Sequence, residues 1–91
     1  MKEETRGIIE KGIDSFKFDF KRIEAFQEIT PIGNIEEFLL GYTLGYLRKF
    51  SELNVVVQEG KLTKTDKNEI SNIILTRTPE IRKKLLQYLN K

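Results

Sequence analysis

The proline-free stretch between Asn34 and Gly60 constrains the fold more than any other part of the chain. Its apolar residues recur at steps of three and four, the spacing of one face of an α-helix. They are Ile35, Leu39, Tyr42, Tyr46, Phe50, Leu53 and Val57. Leu40, Leu44 and Leu47 add a second stripe about 100° round the helix axis. Two apolar stripes predict a long helix that contacts more than one neighbour.

Both ends of this helix carry capping signals. Asn34 is a favoured N-cap residue, and Glu37 follows it at the spacing of a capping box. Gly60 suits the position just after a helix, where the left-handed conformation is common. The run Val55–Val57 is less favourable, because β-branched residues lower helix propensity. A hairpin that turns at Gly60, with a short strand over 54–58, is therefore the alternative for the end of this segment.

Residues 15–22, SFKFDFKR, show both a strand-like and a helix-like pattern. Phe16, Phe18 and Phe20 alternate with charged residues, as in a half-buried strand. A helical seam with steps of four and three also runs through Ile9, Ile13, Phe16, Phe20 and Ile23. A strand here would need several partners, since an isolated two-stranded pair is marginal in water. We therefore predict one helix over about 2–28, with Phe18 opposite its apolar seam.

The last third of the chain contains a helical pattern interrupted by Pro79. A helix begins near Asp66, with Glu69 at capping-box spacing. It should end or kink near Thr78, because the residue before proline avoids the helical region. Thr78, Pro79 and Glu80 then form a second helix start, with proline at the first helical position.

These segments predict an all-α protein in which residues 1–91 form one small helical-bundle domain. Two long antiparallel helices are covered by a third element, broken at Pro79 into two short helices. The pattern leaves open whether this third element stays collinear or folds back.

Composition excludes several kinds of chemistry. The chain has no cysteine and no histidine, so thiolate nucleophiles, zinc sites built on cysteine and the commonest general base are excluded. The phosphate-binding and metalloprotease motifs are absent from the sequence. We therefore predict no catalytic, metal-binding or cofactor-binding residues and a protein that is not an enzyme. Enrichment in lysine and glutamate without cysteine is typical of proteins from hot environments, although an AT-rich genome also favours lysine.

Hydropathy predicts a location in the cytoplasm and no membrane contact. The longest nearly apolar run, 38–47, is half of the roughly 20 residues that a spanning helix requires. The first residues, MKEETRGIIEKG, lack the apolar core of a signal peptide.

Gly41 and Gly45 form a small-xxx-small pair inside the central helix. Each costs about 1 kcal/mol of helix stability relative to alanine, which suggests close approach of another backbone. Helical geometry places them away from the Tyr42 stripe, near Arg48 and Glu52. Together with Phe18, the two glycines are the candidate partner interface.

The second candidate surface is basic. Residues 61–91 hold eight basic and three acidic residues, whereas residues 1–60 hold eight basic and eleven acidic ones. The candidate nucleic-acid contacts are Lys61, Lys64, Lys67, Arg82, Lys83 and Lys84. Cations on a solvated helix face explain the same pattern without any nucleic acid.

The sequence thus predicts a small non-enzymatic interaction or assembly protein. A homodimer is favoured over larger homo-oligomers, and an unidentified protein partner is also compatible with the pattern. A nucleic-acid-binding protein or small regulator that uses residues 61–91 is the alternative.

Overall fold

The computed structural model describes residues 1–18, 21 and 33–90. Three helices lie in this part of the chain: α1 (Glu3–Ser15), α2 (Ile35–Glu59) and α3 (Lys64–Leu89). The described residues contain no strand, so the all-α prediction is confirmed. Within the same residues, no helix combines the length and the apolar character needed to cross a membrane.

The boundaries predicted for α2 are confirmed at both ends. The Asn34 side chain accepts a hydrogen bond of 3.1 Å from the Glu37 backbone N–H. Gly60 has a φ of +81°, and its N–H donates to the Val56 carbonyl at 2.9 Å. The hairpin over 54–58 is wrong, because the helix continues through these residues. Burial of Val55 outweighs the few tenths of a kcal/mol that β-branching costs a helix.

The first helix is much shorter than predicted. It ends at Ser15, and Phe16 is extended, with φ −61° and ψ 131°. The Ser15 hydroxyl donates to the Lys11 carbonyl at 2.8 Å, a side-chain bond that competes with regular helix. The rings of Phe16 and Phe18 meet edge to face at 5.1 Å, although residues two apart on a helix point about 200° apart. The helix predicted over 2–28 is therefore wrong at residues 16–18, whereas residue 21 is helical and residues 19, 20 and 22–28 lie outside the described residues.

The third element is one helix that continues through Pro79, so the prediction of two short helices is wrong. Proline removes the hydrogen bond that residue 79 would donate to the Leu75 carbonyl, and its ring crowds the same carbonyl. Both residues lie on the exposed side of α3, where water can hydrate that carbonyl. Ile74 and Ile81 are buried on either side of the proline, and their packing holds the helix together.

The start of α3 also differs from the prediction. Thr63, not Asp66, is the N-cap residue: its hydroxyl oxygen accepts from the Asp66 N–H at 3.1 Å. Asp66 in turn accepts from the Thr63 N–H at 3.0 Å, which completes a capping box. A capping box is present as predicted, but it begins at Thr63, three residues earlier in the chain than the predicted one.

Contacts between the helices define their directions. Glu59 at the end of α2 accepts from the Lys2 N–H at 2.9 Å, and Arg82 near the end of α3 donates to Glu37 at 2.7 Å. The Arg77 guanidinium of α3 donates to the Glu10 carbonyl of α1 at 3.0 Å. Thus α2 is antiparallel to both neighbours, and α1 and α3 run in the same direction.

A single cluster of buried apolar side chains joins the three helices. Its members are Ile9, Ile13, Leu39, Leu40, Leu47, Val55, Ile70, Ile73, Ile74, Ile81 and Leu85. On α2 the buried row continues through Thr43 and Ser51, whose hydroxyls donate to the Leu39 and Leu47 carbonyls at 2.8 and 2.7 Å. Large and small side chains therefore alternate every four residues, along the ridge direction that packs into grooves of a neighbouring helix.

The apolar stripe of α2 that includes Tyr42, Tyr46, Leu53 and Val57, here called the aromatic stripe, was predicted to contact a neighbouring helix, but these four residues lie on the surface. Tyr42 and Tyr46 are about half exposed, at 53% and 52%, and Leu53 and Val57 are exposed at 62% and 76%. The tyrosines can keep their hydroxyls hydrated there. The row that contains Thr43 and Ser51 is buried instead.

Candidate self-association surface

Gly41 and Gly45 lie on the exposed side of α2. A methyl group added to either glycine meets no atom of the described residues within 4 Å. Close contact with another described helix therefore does not explain these glycines. They leave a shallow gap in the surface of α2, with one turn between them.

Gly45 lines a groove between α2 and α3 on the side away from α1. Leu44, Gly45 and Arg48 form the α2 wall of the groove, and Ser71, Ile74, Leu75 and Thr78 form the α3 wall. Leu75 projects from its wall with 73% of its surface exposed. Arg48 pairs with Glu52 one turn on, at 3.5 Å. The groove thus places an exposed leucine beside a gap bordered by glycine.

Among the described residues, Gly12 is the glycine in close contact with another helix, and it was not among the predicted interface residues. A methyl group on Gly12 would collide with Cε1 of Phe50. Gly12 therefore lets α1 approach α2 at the level of this ring. Its only sequence signal was an unexplained glycine inside a helical pattern.

Phe18 packs within the chain rather than opposite a helical seam. Its ring lies 5.1 Å from that of Phe16 and 5.8 Å from that of Tyr88, and Phe16 in turn lies 5.5 Å from Tyr46. The structure does not bring Phe18 to the groove that contains Gly45. Its role in a partner contact stays a prediction.

The six candidate nucleic-acid contacts do not form one patch. Lys61, Lys64 and Lys67 are exposed around the start of α3. Arg82, Lys83 and Lys84 lie near its other end, about 22 Å from Lys67 at 1.5 Å per residue.

Two of the cations at the far end also have partners. Arg82 pairs with Glu36 and Glu37 at 3.2 and 2.7 Å, and Lys84 donates to the Asp14 carbonyl at 3.4 Å. Hydrogen bonding to Glu37, followed by its negative charge, raises the pKa of Arg82. Nucleic-acid binding through this set stays a prediction, and the geometry gives it no continuous phosphate track.

A polar cluster closes the end of the bundle where α2 turns into α3. The Met1 amino group lies 3.4 Å from both Asp66 and Glu69. Burial acts to lower the pKa of this amino group, but hydrogen bonds and attraction from the two carboxylates raise it overall. The Lys2 N–H and the Thr5 hydroxyl lower the pKa of Glu59. These contacts anchor the start of α1 and are structural.

The described residues offer no further chemical site. They contain no group of three or more acidic side chains placed to hold a metal ion. Every buried side-chain nitrogen or oxygen among them has a hydrogen-bond partner. No polar group is thus left buried and aimed at a ligand within this part of the chain.

Comparison of the chain with models of protein families, with curated proteins and with solved structures finds no match.

Proposed function

We propose that this protein is a non-enzymatic assembly protein that forms a homodimer through the groove between α2 and α3. The proposal keeps the cytoplasmic location predicted from the sequence. One observation carries it: Gly45, which leaves open space among the described residues, lines the same groove as Leu75, which is 73% exposed, and Gly41 lies one turn from Gly45 on α2.

Helix energetics support this choice of surface. Two interior glycines lower the stability of helix α2 by about 2 kcal/mol relative to alanine. No close packing against other described residues compensates for this loss. Contact with a second copy would use both the space above the glycines and the exposed apolar surface of Leu75. Small residues at a helix surface allow such close approach.

The aromatic stripe of α2 is the competing surface. The stripe covers more of the surface of α2 than the groove does, but it presents only projecting side chains, and the charged residue Lys49 lies within it. Tyr46 of this stripe also packs against Phe16 of its own chain. A cavity beside the stripe is lined by Tyr46, Phe50 and Phe16, but among the described residues only the groove places open space above a glycine next to an exposed leucine.

Light scattering over a range of protein concentrations tests the proposal. We expect a mass of about twice 10.7 kDa for the native chain at concentrations above its dissociation constant. Leu75→Glu should shift the mass toward the monomer, because the charge would be buried in the interface. Leu53→Glu is the matched control, since Leu53 is similarly exposed at 62% but lies outside the groove.

Two outcomes would contradict the proposal. A native chain that remains monomeric up to about 1 mM, a concentration that detects even very weak association, would exclude self-association as its function. A dimer that Leu53→Glu dissociates and Leu75→Glu leaves intact would move the interface to the aromatic stripe. Circular dichroism of both variants should match that of the native chain, since both leucines are exposed.

A further inference from the structure

We propose that two copies join about a two-fold axis parallel to α2 and α3, so that α2 of each copy packs on α3 of the other. This crossed arrangement rests on the proposed dimerisation through the groove and specifies its geometry. In it, Leu75 of each copy enters the space over Gly41 and Gly45 of its partner.

The symmetry of a dimer explains why these residues would meet. Rotation about an axis parallel to the helices exchanges left and right but leaves every residue at the same height along the axis. Gly45 and Leu75 line opposite walls of one groove, so they lie at similar heights. The rotation therefore places Gly45 of one copy opposite Leu75 of the other, twice in the same dimer.

The shapes of the two walls are complementary under this rotation. The α3 wall presents a projecting leucine, and the α2 wall presents a gap where added methyl groups would meet nothing. Ser71 and Thr78, one turn to either side of Leu75, are small and allow the partner helix to approach. A surface that carries a projecting side chain beside a gap can pack against a copy of itself only if each projection faces the gap of the other copy, as it does in the crossed arrangement.

Charge favours the same arrangement. The segment of α2 carries four acidic and two basic residues, whereas that of α3 carries six basic and three acidic ones. A perpendicular two-fold axis would place the two α2 helices together, acidic against acidic. The parallel axis instead places α2 of one copy against α3 of the other. It brings Glu52 of one copy near Lys67 of the other, because Glu52 is one turn from Arg48 and Lys67 is one turn from Ser71.

The molecule is large enough for such an interface. Its Cα atoms extend 42 Å along the longest axis and 23 and 18 Å across it. One long side is thus on the scale of the roughly 800 Å² per partner that specific interfaces bury.

Disulfide cross-linking tests the arrangement cleanly, because the chain contains no cysteine of its own. Gly45→Cys and Leu75→Cys are made as separate variants, mixed in equal amounts at about 10 μM and oxidised slowly. The crossed dimer brings the two positions within disulfide range in the mixed species. We expect the mixed disulfide to form about 100-fold faster than by random collision, because the effective concentration in a dimer is millimolar.

Val57→Cys serves as the matched control, since Val57 is exposed at 76% but lies outside the groove. Its mixed disulfide with Gly45→Cys should form only at the collision rate. Faster self-linking of Gly45→Cys than mixed linking, in a protein of dimeric mass, would overturn the crossed arrangement and leave the proposed dimerisation intact. A monomeric mass would instead overturn the proposed function itself.

A charge exchange provides a second measurement without cysteine. In the crossed dimer, Glu52→Lys and Lys67→Glu should each weaken homodimers about threefold to tenfold, since each creates two like-charge contacts. A mixture of the two variants restores both opposite-charge contacts and should recover native affinity. Mixing that produces no recovery, while each variant alone is weakened, would place these residues apart and contradict the arrangement.

Discussion

Replacing both Gly41 and Gly45 by alanine should affect folding and association in opposite directions. Each substitution adds about 1 kcal/mol of helix propensity. Neither added methyl group meets an atom within 4 Å among the described residues, so their packing sets no steric cost against this gain. The free energy of unfolding of the monomer should rise by about 2 kcal/mol, which corresponds to about 8–16 °C in melting temperature for a domain of this size.

The same two methyl groups occupy the space that the partner's Leu75 would enter. Overpacking a contact typically costs 1–3 kcal/mol, so the dissociation constant of the dimer should rise about 5-fold to 150-fold. Urea unfolding at low micromolar concentration measures the first effect, and sedimentation equilibrium measures the second. Gly7→Ala is the control, because Gly7 is equally open but lies on α1, away from the groove.

Two results would refute this reasoning. If the double variant associates as tightly as the native chain, the partner does not approach these glycines. If the monomer gains no stability, the space above the glycines is already used by this chain.

Four further measurements test other parts of the structure. Leu85→Ala should lower the free energy of unfolding by about 2–5 kcal/mol in urea titrations, because Leu85 is fully buried; a loss below 1 kcal/mol would place it outside the core. Pro79→Ala should raise it by about 1–3 kcal/mol by restoring a hydrogen bond inside a continuous helix, and a loss would indicate a break at this residue. Hydrogen bonds from the Thr63 N–H and hydroxyl hold the pKa of Asp66 below its ordinary value of 3.8, so its contribution to stability is present above that value and is lost as pH falls through the lower folded one. Asp66→Asn should therefore flatten the fall of the urea midpoint between about pH 5 and pH 2, and an unchanged slope would exclude this role. Fluorescence anisotropy with DNA at about 50 mM salt should show no saturable binding, because the cations around Lys67 and Arg82 are far apart; saturation would restore the alternative function.

The boundaries of α2 followed from the sequence because they depend on local chemistry. Asn34 caps one end through its own side chain, and Gly60 ends the other through a backbone conformation that suits glycine. Such signals require no knowledge of tertiary contacts.

The buried face of α2 was predicted less well, because hydrophobicity alone does not show which stripe packs. Thr43 and Ser51 were treated as polar, yet both are buried and satisfy their hydroxyls on their own helix. The alternation of large and small residues every four positions was the available signal. Similarly, Gly12 resembled Gly41 and Gly45 in sequence, and only the position of Phe50 distinguishes it.

Pro79 and the segment after Ser15 differ in which factor decides whether the helix continues, tertiary packing or local sequence. The proline has a strong local preference to break α3, but buried residues on both sides keep the helix continuous. At Phe16 the backbone is extended and leaves the helix, and no strand forms in the described residues. The predicted helical seam is thus interrupted at this residue, and its continuation through Phe20 and Ile23 lies outside the described residues.

The buried hydroxyls of Thr43 and Ser51 have one more consequence. Since both donate to carbonyls of α2 itself, no directional bond at these positions fixes how far α2 has slid along α3. Side-chain volume, the ion pairs of Arg82 with Glu36 and Glu37, and the turn between the helices share that task, and the turn is held at both ends by the caps at Gly60 and Thr63. One residue inserted in the turn would add up to about 3.5 Å of chain between the two caps and so relax this constraint. The length of the turn thus helps to set the position of α2 along α3, and it is under tighter constraint than the exposed position of the turn suggests.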